Sequence, residues 1–131
     1  MPPATKILII DDSKAMRTFL HYLAHELQFE TAEAEDGSQA LQVLEGGNEF
    51  SVALVDWDMP RMNGLEFVKA VRANPVYDGL KLMMVTTQNS MEHVAAALDS
   101  GAADFLMKPV TKESLAEKLL VLGEIPLSRA S

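Results

Sequence analysis

Five short apolar runs, each followed by a segment with helical periodicity, constrain the fold of this chain more than any other feature. The first run, Lys6–Ile10, is continuously apolar after its lysine, as expected of a strand covered on both faces. After it, Met16, Leu20 and Leu23 recur at three- and four-residue spacing, which indicates an amphipathic helix. Strands that alternate with helices form parallel sheets with right-handed crossovers. The sequence therefore predicts an α/β domain, a doubly wound five-stranded parallel sheet flanked by five helices.

The remaining elements fill the chain and leave room for one domain only. Further strands are predicted at residues 29–34, 52–55, 82–85 and 103–107. The fourth helix is expected to turn four apolar side chains toward the sheet: Met91, Val94, Ala95 and Leu98. With 131 residues in all, we expect one domain over residues 1–123 and a short C-terminal tail over residues 124–131.

The net charge of −8 narrows the classes of partner. Such a surplus of acid repels phosphate backbones and anionic lipids, so we expect no nucleic-acid binding and no membrane binding. No apolar run approaches the ~20 residues of a membrane span, and the N-terminus lacks the architecture of a signal peptide. The absence of cysteine excludes disulfides and thiolate metal sites. We therefore expect a cytoplasmic protein.

Polar residues follow four of the five predicted strands. In chain order they are Asp11, Asp12, Asp56, Thr86, Thr87 and Lys108. Each acidic residue alone is an ordinary turn former or helix cap. In open parallel sheets, however, ligands bind beyond the carboxyl ends of the strands, where all six are expected to meet. Capping alone does not account for such a concentration, which favours a functional site.

The chemistry of these residues predicts a metal-assisted phosphoryl transfer. Three carboxylates in one crevice repel each other unless a cation intervenes, and oxygen ligands without His or Cys favour Mg²⁺ or Ca²⁺. The Thr86 hydroxyl and the Lys108 ammonium are suited to phosphate oxygens. A carboxylate can also be the nucleophile and form an aspartyl phosphate. We therefore predict phosphoryl transfer to Asp56, assisted by Mg²⁺ and by Lys108.

Four segments occur in the order and at the spacing of a known family. They are Ile10-Asp11-Asp12-Ser13, Asp56-Trp57-Asp58-Met59-Pro60-Arg61-Met62-Asn63-Gly64, Val85-Thr86-Thr87 and Lys108-Pro109. Together they resemble the receiver domain of two-component response regulators, and within that family the single-domain chemotaxis regulators. The resemblance covers residues 6–122. It implies a flavodoxin-like fold with strand order 2-1-3-4-5.

The resemblance also implies a role for each site residue. Asp56 would accept the phosphoryl group from a phosphohistidine of a histidine kinase. Asp12 and Asp56 would ligate Mg²⁺ directly, Asp11 would act largely through water, and the backbone carbonyl of Asp58 would add a ligand. Two further side chains would bind the phosphoryl oxygens: Thr86 and Lys108.

A conformational switch and a timing device are implied as well. Thr86 would move inward on phosphorylation, and Phe105 would rotate with it, which changes the face formed by helix four, strand five and helix five. The Lys108-Pro109 peptide would be cis, a form whose cost proline lowers to roughly 0.5–1 kcal/mol. Asp58 and Gln88 would set the lifetime of the phosphorylated state.

The expected function is that of a stand-alone response regulator in chemotaxis or motility signalling, monomeric or weakly dimeric. Its partners would be a histidine kinase or phosphotransfer protein and a downstream protein target. Its only catalysis would be its own phosphorylation and dephosphorylation. One alternative is a Mg²⁺-dependent phosphohydrolase with an aspartyl nucleophile, since Asp56-Trp57-Asp58 offers a D-x-D pattern. Two others are a flavodoxin-type cofactor binder and a receiver that acts without phosphorylation.

Overall fold

The computed structural model describes residues 6–46, 50–57, 59, 62–87 and 91–123. Strands and helices alternate through these residues. Their bounds are β1 (Lys6–Ile10), α1 (Lys14–Glu26), β2 (Glu30–Ala34), α2 (Gly37–Glu45), β3 (Val52–Asp56), α3 (Gly64–Arg72), a 3-10 turn (Pro75–Tyr77), β4 (Lys81–Thr86), α4 (Met91–Ser100), β5 (Asp104–Met107) and α5 (Lys112–Val121). The tail expected over residues 124–131 lies outside the described residues.

All five strands are parallel and lie in the order β2-β1-β3-β4-β5. This confirms both the predicted fold class and the strand order that the resemblance implied. In the register of the sheet, Ile10 pairs with Ala34 on one side and with Val55 on the other. The residues that follow β1 and β3 therefore meet at the same edge of the sheet.

Each face of the sheet has its own apolar core, as the continuous apolar runs predicted. On one face, Ile7 and Ile9 of β1 pack with the buried sides of α1 and α5. On the other face, Leu8 and Ile10 pack with α2, α3 and α4, around the fully buried Phe67. Alternation along β1 explains the division, because successive side chains point to opposite faces.

The inward face of α4 differs from the prediction. Among the described side chains of this helix, Ala97 is buried and Val94 is half-buried, whereas Ala95 and Leu98 are exposed, Leu98 to 44% of its surface. The expectation for Ala95 and Leu98 was therefore wrong, while the side chain of Met91 is not described. Ala97 belongs to the apolar core on this face of the sheet, whereas Leu98 lies on the outer side of the helix, which packs beside α3.

An arginine clamp joins the loops at the amino ends of the strands. The Arg72 guanidinium donates hydrogen bonds to three backbone carbonyl oxygens, those of Tyr77 (2.9 Å), Leu80 (2.6 Å) and Gly101 (3.0 Å). These contacts tie α3 to the loops that enter β4 and β5. Over the part of the chain that is described, no helix has the length and apolar character needed to cross a membrane.

Candidate functional site

Three carboxylates meet at the carboxyl ends of β1 and β3. One carboxylate oxygen from each of Asp11, Asp12 and Asp56 lies within 4.8 Å of the others. Asp11 and Asp56 are buried and Asp12 is exposed, so the cluster opens to solvent on one side. Carboxylate oxygens at this spacing suit a hard divalent cation such as Mg²⁺.

Lys108 brings a positive charge to the two buried carboxylates. Its Nζ atom donates a hydrogen bond to Asp56 Oδ1 at 3.1 Å and lies 3.7 Å from Asp11 Oδ2. Its backbone N–H donates to the Thr86 carbonyl oxygen at 2.9 Å, and the Lys108-Pro109 peptide is cis, as expected. The end of β5 thereby places the ammonium group beside β3.

Backbone contacts hold Asp11 in place but leave one of its oxygens without a hydrogen bond. The Asp11 N–H donates to the Ala34 carbonyl oxygen (3.1 Å), and Asp11 Oδ1 accepts from the Ser13 N–H (2.9 Å). Asp11 Oδ2 is buried and accepts no hydrogen bond from any described residue. A buried oxygen of this kind is costly unless it finds a partner. The donor set therefore fits a bound cation or its coordinated water.

The surroundings of Asp56 disfavour its negative charge. Burial is the largest cause and Asp11 adds repulsion, while Lys108 acts in the opposite direction. Together they raise the pKa of Asp56 from 3.8 to about 6. A cation bound beside Asp56 would favour the charged form and lower this pKa.

A glycine lets the loop after β3 return closely to the site. A Cβ atom at Gly64 would lie 2.5 Å from the Asp56 carbonyl oxygen and 3.0 Å from Trp57 Cα. The Gly64 N–H donates to the Trp57 carbonyl oxygen at 3.0 Å. Asn63 and Glu66 then form a reciprocal capping box that begins α3. Gly64 thus lets the start of α3 pack directly against the backbone at the end of β3.

Thr86 and Phe105, the two predicted switch residues, line the same small cavity. Its other lining residues come from the end of β3, from β4 and from α4: Trp57, Met84, His93, Val94 and Ala97. Thr86 is buried at the end of β4, and Phe105 is half-buried. Lys118 Nζ lies 5.1 Å from the centre of the Phe105 ring and 3.1 Å from Asp104 Oδ1.

The structure brings together the predicted carboxylates Asp11, Asp12 and Asp56 with Lys108. Asp58 and Gln88, which were also predicted, lie outside the described residues. Sequence reasoning missed Arg17, which is buried and donates to the Asp11 carbonyl oxygen at 2.7 Å. One signal was available. A cation near a helix N-terminus opposes the helix dipole and therefore calls for a reason.

Comparison with known proteins agrees with this geometry. Residues 7–120 match the model of the response regulator receiver domain family. The chain is 40% identical to the chemotaxis protein CheY homolog of Campylobacter jejuni, over 87% of this chain and 88% of the relative. It is 38% identical to chemotaxis protein CheY1 of Helicobacter pylori, over 90% and 97% of the two chains.

A solved structure supports the same assignment. Chemotaxis protein CheY4 of Vibrio cholerae superposes with a TM-score of 0.85 at 34% identity, covering 90% of this chain and 98% of that one. Proteins of this type are signalling proteins rather than enzymes acting on a separate substrate. From its fold, its acidic pocket with Lys108 and these likenesses, the chain belongs to the response regulator receiver domain family.

Proposed function

We propose that this protein is a stand-alone response regulator that is phosphorylated on Asp56 and acts in chemotaxis or motility signalling. Membership of the receiver family implies a histidine kinase partner. Similarity to chemotaxis proteins over most of their length supports the narrower assignment. A cytoplasmic location and a downstream protein target belong to the same proposal.

The carboxylate of Asp56 would be the nucleophile. One of its oxygens attacks the phosphorus of a phosphohistidine, an O–P bond forms, and the N–P bond breaks with its electron pair returning to the imidazole, which takes up a proton. A carboxyl with a pKa of about 6 is largely ionised at pH 7, as this attack requires. The product is an acyl phosphate on the protein.

The acidic cluster would hold Mg²⁺, with Asp12 and Asp56 as direct ligands, Asp11 acting mainly through water and the Asp58 carbonyl as a further ligand. When bound, the ion supplies charge neutralisation to the phosphoryl oxygens. The buried Asp11 Oδ2, which accepts no hydrogen bond from a described residue, supports this assignment. Asp58 itself is outside the described range, so its part in the ligand set stays a prediction, as does the role of Asp58 and Gln88 in the lifetime of the phosphorylated state.

Lys108 and Thr86 would bind the transferred group. The Lys108 ammonium already contacts Asp56 Oδ1, so it needs only a short movement to bind an oxygen of a phosphoryl group attached there. Thr86 is the last residue of β4, the strand that lies next to β3. It lies close to Asp56, because Asp56 pairs with Val85 in the sheet register. Its hydroxyl would donate a hydrogen bond to a second phosphoryl oxygen.

The shared cavity supports a coupled movement of Thr86 and Phe105. When Thr86 turns toward the phosphoryl group, it leaves space in the cavity that both side chains line, and Phe105 moves inward to fill it. The outer face of α4, β5 and α5 changes as a result. This face would bind the downstream target.

The observation that carries the proposal is the convergence of three carboxylates and Lys108 at one edge of the sheet. The test is a titration with Mg²⁺ and then with beryllofluoride, followed by the fluorescence of Trp57, the only tryptophan. We expect a Mg²⁺-dependent change and a second change that is lost in Asp56→Asn. An equal second change in the variant would contradict phosphorylation at Asp56, and repeated turnover of a phosphomonoester would favour the phosphohydrolase.

A further inference from the structure

We propose that Arg17 is a positioning residue for the metal site, because its guanidinium orients the peptide group that joins Asp11 to Asp12. The inference rests on the proposed function, since it concerns the Mg²⁺ that the carboxylates would hold. Arg17 has no place in the chemistry described above. It lies in the second turn of α1, with 9% of its surface exposed.

The contact with the Asp11 carbonyl is short and buried. Arg17 Nη1 donates to this oxygen at 2.7 Å, which is typical of a strong, charge-assisted hydrogen bond. The Asp11 carbonyl and the Asp12 nitrogen belong to one planar peptide group. An arginine that holds the oxygen therefore also fixes the direction in which the chain enters Asp12.

This contact completes the fixation of the loop between β1 and α1. The Asp11 N–H is bound by Ala34, and its Oδ1 is bound by the Ser13 N–H. Those two bonds place the Asp11 backbone and carboxylate, whereas Asp12 is exposed and receives its position through the peptide before it. Of these contacts, the bond from Arg17 is the one that acts on that peptide.

Two carboxylates of the β2 region hold the guanidinium in its place. Arg17 Nε donates to Glu33 Oε1 at 3.2 Å, and Nη2 lies 4.0 Å from Glu35 Oε1. A buried guanidinium needs such partners. Glu33 and Glu35 also offset the positive charge of Arg17. Arg17 can therefore orient the peptide between Asp11 and Asp12 without a net positive charge that would repel Mg²⁺.

A purely structural role for Arg17 makes a different prediction. If the arginine only tied α1 to β2, its loss would lower the free energy of unfolding and leave the Mg²⁺ affinity unchanged. If the positive charge of Arg17 were its main influence on the site, loss of Arg17 would remove a repulsion between two cations and make Mg²⁺ bind more tightly. Positioning predicts the opposite sign, which is weaker binding.

The experiment measures the dissociation constant of Mg²⁺ by Trp57 fluorescence in Arg17→Met and Arg17→Lys. Loss of a group that orients a metal ligand commonly weakens binding 10- to 100-fold, so we expect an increase of about tenfold in the methionine variant. Lysine keeps the charge but offers no planar fork, so we expect an increase of about threefold. Unfolding in urea without Mg²⁺ shows whether each variant is folded.

Arg72→Met is the matched control. Arg72 also donates to backbone carbonyl oxygens, but at the opposite edge of the sheet. We expect this variant to lose stability and to bind Mg²⁺ as the unsubstituted protein does. An increase equal to that of Arg17→Met would show that destabilisation alone weakens binding, and would overturn the proposal.

The outcomes separate this inference from the proposed function. If the unsubstituted protein does not bind Mg²⁺, the proposed metal site is wrong. If it binds and Arg17→Met binds within twofold as well, or more tightly, only the role of Arg17 is refuted. If Arg17→Met does not fold, Arg17→Lys decides, and an unchanged dissociation constant there refutes the role equally.

Discussion

The electrostatics of Asp56 predict that replacing it stabilises the metal-free protein, and increasingly so as the pH rises. The folded protein holds the pKa of this carboxyl at about 6, against 3.8 for the ordinary group. A raised pKa contributes stability that is fully present below pH 3.8 and is lost as the pH rises through 6. The ionised group therefore costs about 3 kcal/mol in total at pH 8, from about two pKa units at 1.36 kcal/mol each.

Asp56→Asn removes this dependence, because an amide does not titrate. The assay is urea unfolding of both proteins in EDTA, followed by circular dichroism from pH 5 to pH 8. Roughly half of the total, between 1 and 2 kcal/mol, develops in this range. We expect the difference in free energy of unfolding, variant minus unsubstituted protein, to grow by that amount.

The control is Asp99→Asn, which removes one exposed carboxyl at the far end of α4 and so reproduces the change in net charge. A difference between Asp56→Asn and the unsubstituted protein that stays constant from pH 5 to pH 8 would refute the reasoning. So would a growing difference of equal size in the control, since that would make it an effect of overall charge.

Three further predictions concern the same edge of the sheet. At 100 times its dissociation constant, Mg²⁺ should stabilise the unsubstituted protein at pH 8 by about 2.7 kcal/mol and Asp56→Asn by clearly less, as measured by thermal unfolding. Gly64→Ala should lose about 1–3 kcal/mol in urea unfolding, because its Cβ would meet the Asp56 carbonyl oxygen, whereas Gly79→Ala, with open space around it, should not. Lys108→Met should raise the pKa of Asp56 further, since Lys108 lowers it, and an NMR titration showing no upward shift would contradict this.

The sequence was sufficient for the architecture and for the place of the site, for a physical reason. Continuous apolar runs such as Lys6–Ile10 have few alternatives to a buried parallel strand, and the polar residue after such a strand must lie at the edge of the sheet. The sequence alone therefore places Asp11 and Asp56 together. The strand order came from the resemblance, because apolar patterns do not state which strands are neighbours.

Features that depend on contacts between distant segments were missed. Arg17 meets Glu33 only after β2 has packed beside β1, and nothing local in the sequence announces that pair. The wrong orientation of α4 has a similar origin. Its apolar residues encircle much of the helix, so periodicity alone does not decide that Ala97 lies inward and Leu98 outward.

The arginine clamp at the amino ends of the strands affects which substitutions such a protein can accept during evolution. A site in which carboxylates lie close together lowers the free energy of unfolding. A chain that carries such a site therefore needs stabilising contacts elsewhere. The Arg72 contacts lie at the amino ends of the strands and Asp56 ends β3, a strand of five residues and so roughly 16 Å long. Substitutions at the amino ends of the strands can therefore change thermal stability while the carboxylate cluster at the carboxyl ends stays as it is, so adaptation to a new temperature need not alter the acidic site.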